Sequence, residues 1–195
     1  MRVIDLRQTI EPGMPLFSPN APQPILKAWM THAEAADSGN YEDTSCEITQ
    51  VEMVTSIGTY LDSPYHFHPE GKTIEQLPLK MLVLPGMVVD CTGLPPRTPI
   101  QAEVLDGLDV AGKAVLFHTG WSAYWGDENY TLHPFIAEDT AQRLVAHGAK
   151  LAGVDFLVID DTQNPRRPAH VHLLGAEVLI VENLRALDKL PTEGF

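Results

Sequence analysis

Apolar residues in this chain come in short runs broken by glycine and proline, the spacing of strands and turns rather than of long helices. Strands are predicted at 3–6 (VIDL), 24–32 (PILKAWMTH), 46–54 (CEITQVEMV), 57–61 (IGTYL), 86–91 (GMVVDC), 114–119 (AVLFHT), 150–155 (KLAGVD) and 177–182 (EVLIVE). The best helix pattern is 137–148. There Leu144 and Val145 fall at helical spacing from Thr140 and Ala141, Glu138 and Asp139 occupy the first turn, and Gly148 stands at the capping position. Shorter helical patterns cover 101–108 and 169–176. The strand-rich first part and the later strand–helix–strand alternation predict one α/β domain over 1–195, a mixed β-sheet with packed helices. Residues 8–23 hold four prolines around Leu16 and Phe17 and read as an extended arm, held on its own sheet or against a neighbouring subunit.

A length of 195 residues suits a single domain, and no internal repeat divides it. Acidic residues outnumber basic ones by 26 to 13, and the net charge of −13 argues against nucleic acid or an anionic membrane as partner. No apolar stretch reaches the roughly 18 residues of a membrane span, and MRVIDLRQTI is not a leader sequence, so a soluble cytoplasmic protein is expected. Cys46 and Cys91 form neither a disulfide framework nor a zinc knuckle and read as core thiols. No Gly-rich phosphate loop or G-x-S-x-G elbow is present, which removes nucleotide-dependent and serine-hydrolase chemistry.

Candidate chemistry concentrates in residues 56–67, SIGTYLDSPYHF. A strand period of two puts Ser56, Gly58, Tyr60 and Asp62 on one face, and Pro64 then ends pairing so that the chain can bend His66 back toward Asp62. A carboxylate and an imidazole converging at a strand end suit metal binding or proton transfer. The same pair also fits an Asp accepting turn hydrogen bonds beside a solvated His. His118 ends a predicted strand and is a pocket candidate. Trp121, with Tyr124, Trp125 and Tyr130 in the loop 120–130, could face a flat substrate closed on the other side by Phe17; packing on their own domain is the alternative. Arg166 and Arg167 are either surface charge or a carboxylate contact, and His32, His133 and His147 have no partner in the sequence.

This stretch resembles the signature of the cyclase family of metal-dependent hydrolases, which includes bacterial kynurenine formamidase and isatin hydrolase: His-x-Gly-Thr-His-x-Asp-x-Pro-x-His-Phe. Gly58, Thr59, Asp62, Pro64, His66 and Phe67 match it, and the likeness continues at 69–79, 116–121, 153–161 and 169–184. The resemblance implies a swivelling β/β/α-like cyclase fold, a small-molecule substrate and a homo-oligomer, a dimer or tetramer. It further implies that Asp62, His170 and Glu182 bind one divalent metal ion, zinc or manganese, with His66 moving the proton and Asp62 at the catalytic centre. Ser56 and Tyr60 stand where the family has histidine ligands, so one of two family metal sites is missing its donors; both residues become candidates for lining the substrate pocket. His68 and His172 are possible replacement ligands. The expected function is hydrolysis of a small amide, cyclic amide or lactone. The alternative is a metal-free cyclase-like or non-catalytic metabolite-binding member, in which Tyr60 would bond Asp62.

Overall fold

The computed structural model describes residues 3–195 and divides them into two compact units, 9–57 on the one hand and the residues up to Gln8 with Gly58–Phe195 on the other. In the unit of residues 9–57, β1 (Ile25–Met30) and β2 (Ile48–Glu52) form a two-stranded antiparallel sheet, and Leu16 makes an isolated antiparallel bridge to Ile57. The predicted strand at 24–32 is cut short because Thr31 caps α1 (His32–Asp37). That start was legible as Thr-His-Ala-Glu: Glu34 N–H donates to Thr31 Oγ1, and Thr31 N–H donates to the Glu34 carboxylate at 2.8 Å.

The other unit is built on a five-stranded sheet of β3 (Tyr60–Asp62), β4 (Gly86–Asp90), β6 (Ala114–His118), β8 (Leu151–Val154) and β9 (Leu179–Glu182), in the order β3-β9-β8-β6-β4. Four strands run parallel and β3 closes the edge antiparallel to β9. Between them, β5 (Pro99–Ile100) pairs with β7 (Phe135–Ile136) in a small parallel ladder that sequence periodicity did not predict. Both faces of the large sheet are apolar. Val89, Val115, Phe117, Ala152, Val154 and Ile180 pack on one side, and Val88, Leu116, Leu151, Leu179 and Val181 on the other, as expected for parallel strands covered twice.

Helix α2 (Glu138–Ala146) connects β6 to β8 and α3 (Pro168–Gly175) connects β8 to β9; the two pack together. The predicted α2 ends where Gly148 adopts φ 78°. The helical pattern at 101–108 gives only the single 3₁₀ turn Ala102–Leu105, because Asp106 is extended and Gly107 has φ 73°. Residues 3–6 make no strand: they carry no ladder, and Leu6 C=O accepts one bond, from Arg185 N–H. Cys91 is a core residue, but Cys46 is only partly buried and bonds the Tyr41 hydroxyl. No helix among the described residues is long and apolar enough to cross a membrane.

Candidate metal and catalytic site

The site lies where β3 and β9 meet. Their register sets Tyr60 opposite Glu182 and Asp62 opposite Ile180, and alternation puts Tyr60, Asp62 and Glu182 on the sheet face that also carries Ile180. Thr59 anchors the strand entrance: its hydroxyl donates to Asn183 C=O at 2.6 Å and accepts Gln8 N–H at 2.8 Å. After Asp62 the chain turns through the 3₁₀ turn Pro64–His66, with His66 N–H donating to Ser63 C=O. This brings His66 Nε2 to 3.8 Å from Asp62 Oδ1. A second turn, 68–71, closes on the first; a Cβ at Gly71 would lie 2.7 Å from the Pro64 carbonyl carbon, so only glycine fits there.

Helix α3 supplies His170. Its N-terminal amides have no side chain on their own cap, and Asp160 serves them instead, accepting from Ala169 N–H at 2.8 Å and His170 N–H at 3.0 Å. The same carboxylate lies 2.6 Å from His170 Nδ1. Phe67 stacks on the imidazole at 4.4 Å and 19°. With Nδ1 committed to Asp160, His170 turns Nε2 toward Glu182 Oε1 at 3.5 Å and Asp62 Oδ2 at 3.8 Å. A carboxylate behind a histidine fixes the tautomer whose other nitrogen can bind a metal.

Glu182 is 1% exposed. Its Oε1 accepts Ile159 N–H at 2.7 Å, and its Oε2 accepts the Tyr60 hydroxyl. Burial pushes the Glu182 carboxyl well up, Asp62 adding to the rise while His170 opposes it. For His170, burial alone would lower the imidazole, but its contacts to Asp160, Asp62 and Glu182 outweigh that and raise it to about 9. Tyr60, buried beside the same two carboxylates, is raised far above an ordinary phenol and stays a neutral donor.

Asp62 Oδ2 is buried without a hydrogen-bond partner. An unpartnered carboxylate oxygen in the interior is costly unless a positive charge completes it. Candidate ligand atoms of Asp62, His66 and His170 lie within 4.8 Å of one another, and Glu182 Oε1, with one N–H bond, retains a lone pair beside them. The set is nitrogen and carboxylate oxygen, which suits zinc or manganese. These residues therefore fit a divalent cation.

The other candidate residues fall elsewhere. Phe17 and Ser56 belong to the unit of residues 9–57, where Phe17 is 49% exposed and Ser56 half-buried. Tyr60 bonds Glu182, not Asp62. His118 is half-buried at the carboxyl end of β6. Trp121 is a core residue whose indole N–H donates to Tyr130 C=O at 3.2 Å, so its ring packs its own loop. His68 lies 3.0 Å from Val171 C=O, and His172 pairs with Glu138 at 3.0 Å; both are engaged away from the cluster. Arg167 caps its own loop, donating to Asp161 C=O at 2.7 Å. Sequence reasoning missed Asp160 and the Ile159 amide. The signal for Asp160 was a charged residue ending the apolar run FLVI, which needs a buried partner.

The family described as "Putative cyclase" matches residues 4–161, a span that contains Tyr60, Asp62, His66 and Asp160 but stops short of His170 and Glu182. Kynurenine formamidase of Geobacillus thermodenitrificans (strain NG80-2) is 28% identical over 187 residues, covering 93% of this chain and 81% of that protein. A solved "predicted metal-dependent hydrolase from Bacillus stearothermophilus" is 30% identical, with a TM-score of 0.75 and coverage of 99% of this chain and 86% of its own. Isatin hydrolase A from Ralstonia solanacearum shares the fold at a TM-score of 0.86 and 22% identity, over 99% of this chain and 82% of its own. The match over residues 4–161 and the 30% identical structure extend past the short motif to most of the chain, and the chain belongs to the cyclase family.

Proposed function

We propose that this protein is a hydrolase that opens a small amide, cyclic amide or lactone with the help of one divalent cation, zinc or manganese, held by Asp62, His170 and Glu182. The observation that carries this reading is Asp62 Oδ2, buried and unpartnered, facing His170 Nε2 at 3.8 Å. A bound cation would supply a polarised carbonyl and an acidified water at neutral pH. The chain's own residues do the rest. Asp160 holds the His170 ring through Nδ1, and Phe67 packs its face. Tyr60 and the Ile159 amide fix both oxygens of Glu182. His66, 40% exposed in its side chain and 3.8 Å from Asp62, is open to substrate and carries the proton to the leaving nitrogen or oxygen. The kynurenine formamidase and isatin hydrolase relatives support amide and cyclic-amide substrates. Assay of the zinc- and manganese-loaded protein against N-formyl aryl amines, cyclic imides and lactones tests the reading; no turnover of any class with either metal would sink it.

A metal-free role in binding a metabolite has one observation in its favour: protonated His170 would be satisfied by Asp160, Asp62 and Glu182 together. That arrangement has a measurable consequence. His170 is raised from an ordinary 6.5 to about 9, so its contribution to folding is complete below pH 6.5 and lost as pH rises through about 9; Glu182, raised from 4.5 to about 7, acts in the same direction but mostly below this window. The metal-free protein should lose on the order of 3 kcal/mol of stability between those limits. Its thermal midpoint should fall accordingly, and zinc should reverse the trend because binding is stronger once His170 is deprotonated. A midpoint flat from pH 6.5 to 9 would contradict this assignment of charges.

We further propose that the protein works as a homo-oligomer. Ile25, Leu26, Trp29, Ile48 and Val51 of the β1–β2 sheet are all exposed, and two strands alone are marginal in water. Light scattering of the purified protein checks this, a monomer being the contrary result.

A further inference from the structure

Of three consecutive residues after β8, two reach the site and the third is tied to an arginine outside it. Ile159 N–H donates to Glu182 Oε1 at 2.7 Å, Asp160 holds His170 Nδ1 at 2.6 Å, and Asp161 bonds Arg97. Both Ile159 and Asp160 are fully buried, and Ile159 C=O accepts Ile136 N–H at 2.8 Å. The inner side of this segment is thus fastened to two proposed cation ligands. Its outer side is fastened by arginine. Arg97 Nη2 donates to Asp161 Oδ1, which also accepts Gln163 N–H at 3.0 Å, while Arg167 Nη1 donates to Asp161 C=O at 2.7 Å. Arg97 is itself fixed in the left-handed region, φ 56°, with its N–H on Leu132 C=O at 2.9 Å. The pair is partly exposed, 30% for Arg97 and 26% for Asp161.

We propose that Arg97 is a positioning residue of the cation site: through Asp161 it holds the 159–161 segment at the depth where Asp160 orients His170 and the Ile159 amide orients Glu182. The proposal rests on the reading above that His170 and Glu182 bind a cation. Removing the guanidinium takes away the side-chain anchor of Asp161 and leaves the outer side of the segment to the Arg167 and Gln163 bonds, so the two ligand contacts on the other side are less firmly placed. Groups that orient metal ligands typically change affinity 10–100-fold when removed. Arg97 acts one residue further out, so its effect belongs at the lower end. Alanine and lysine face the same backbone conformation as arginine at φ 56°, so both substitutions test the side chain rather than the turn.

The test is calorimetric titration of the metal-free full chain with Zn²⁺, alongside thermal midpoints without metal, for the unsubstituted protein, Arg97→Ala, Arg97→Lys, Asp160→Asn and the Arg97→Ala/Asp160→Asn double variant. Arg97→Ala should weaken Zn²⁺ binding about tenfold, and Arg97→Lys should recover part of the loss. In the Asp160→Asn background, Arg97→Ala should add less than about twofold, because the residue through which it acts is already disabled. Unchanged affinity in Arg97→Ala, whatever its midpoint, would overturn the proposal. So would equal losses in both backgrounds. Should Asp160→Asn not fold, equal affinities of the Ala and Lys variants would overturn it instead. Failure of the unsubstituted protein to take up Zn²⁺ would overturn the cation reading and this proposal with it, an outcome distinct from a protein that binds Zn²⁺ indifferently to Arg97.

Discussion

Asp62→Asn should lose the bound metal ion and lower kcat/KM on the order of 10³-fold or more, the counterpart of removing several kcal/mol of charge stabilisation from the transition state. The expectation follows from where the two oxygens point. Oδ2 is buried, without a donor, and 3.8 Å from His170 Nε2; Oδ1 is 3.8 Å from His66 Nε2. An amide there has no charge for the cation and places either a weak acceptor or an N–H against His170. Fold should survive, because no donor bonds Asp62 Oδ2 and β3 is held by its ladder to β9. Metal content and turnover, read together with an unshifted circular dichroism spectrum, check the result. Retained metal and near-normal turnover would refute the site.

The second large effect is expected from restoring the family's letters by Ser56→His and Tyr60→His together. The double variant should lose about 2–4 kcal/mol of stability, as large-to-small changes in packed interiors do, and should bind no second ion. Tyr60 is not an idle filler: its hydroxyl donates to Glu182 Oε2, and its ring occupies the face it shares with Asp62. Imidazole is smaller, and Glu182, the carboxylate that Tyr60 bonds, is itself a proposed cation ligand rather than an orienting partner of the kind that Asp160 is for His170. Glu182 Oε2 would then be a buried acceptor with a poorer donor, a loss of its own on the order of 1–3 kcal/mol. Metal stoichiometry and thermal midpoint decide the matter; two ions per chain at an undiminished midpoint would show that the first site lacks only its ligands.

Much of this arrangement could be read from the chain. The strands β4, β6, β8 and β9 are apolar runs bounded by turn residues, and burial on both sheet faces is what makes such runs continuous. A period of two was enough to put Tyr60 and Asp62 on one face, and Pro64 marked the turn that returns His66. What could not be read depends on distant pairings. Tyr60 finds Glu182 across 122 positions and Arg97 finds Asp161 across 64, and no local pattern encodes either. The β5–β7 ladder is two residues long on each side, too short for periodicity to register. Residues 3–6 show the opposite failure: an alternating pattern there reports partial burial of Ile4 and Leu6 without strand pairing.

The central claim is that Asp62, His170 and Glu182 form a site for one divalent cation on which hydrolysis depends. The most direct measurement is elemental analysis of the protein purified without chelator, followed by stripping and readdition of Zn²⁺ and Mn²⁺ with turnover monitored throughout. The account predicts one zinc or manganese per chain, activity lost on stripping and regained with the metal. Protein that carries no such ion and gains neither binding nor activity from either metal would contradict it.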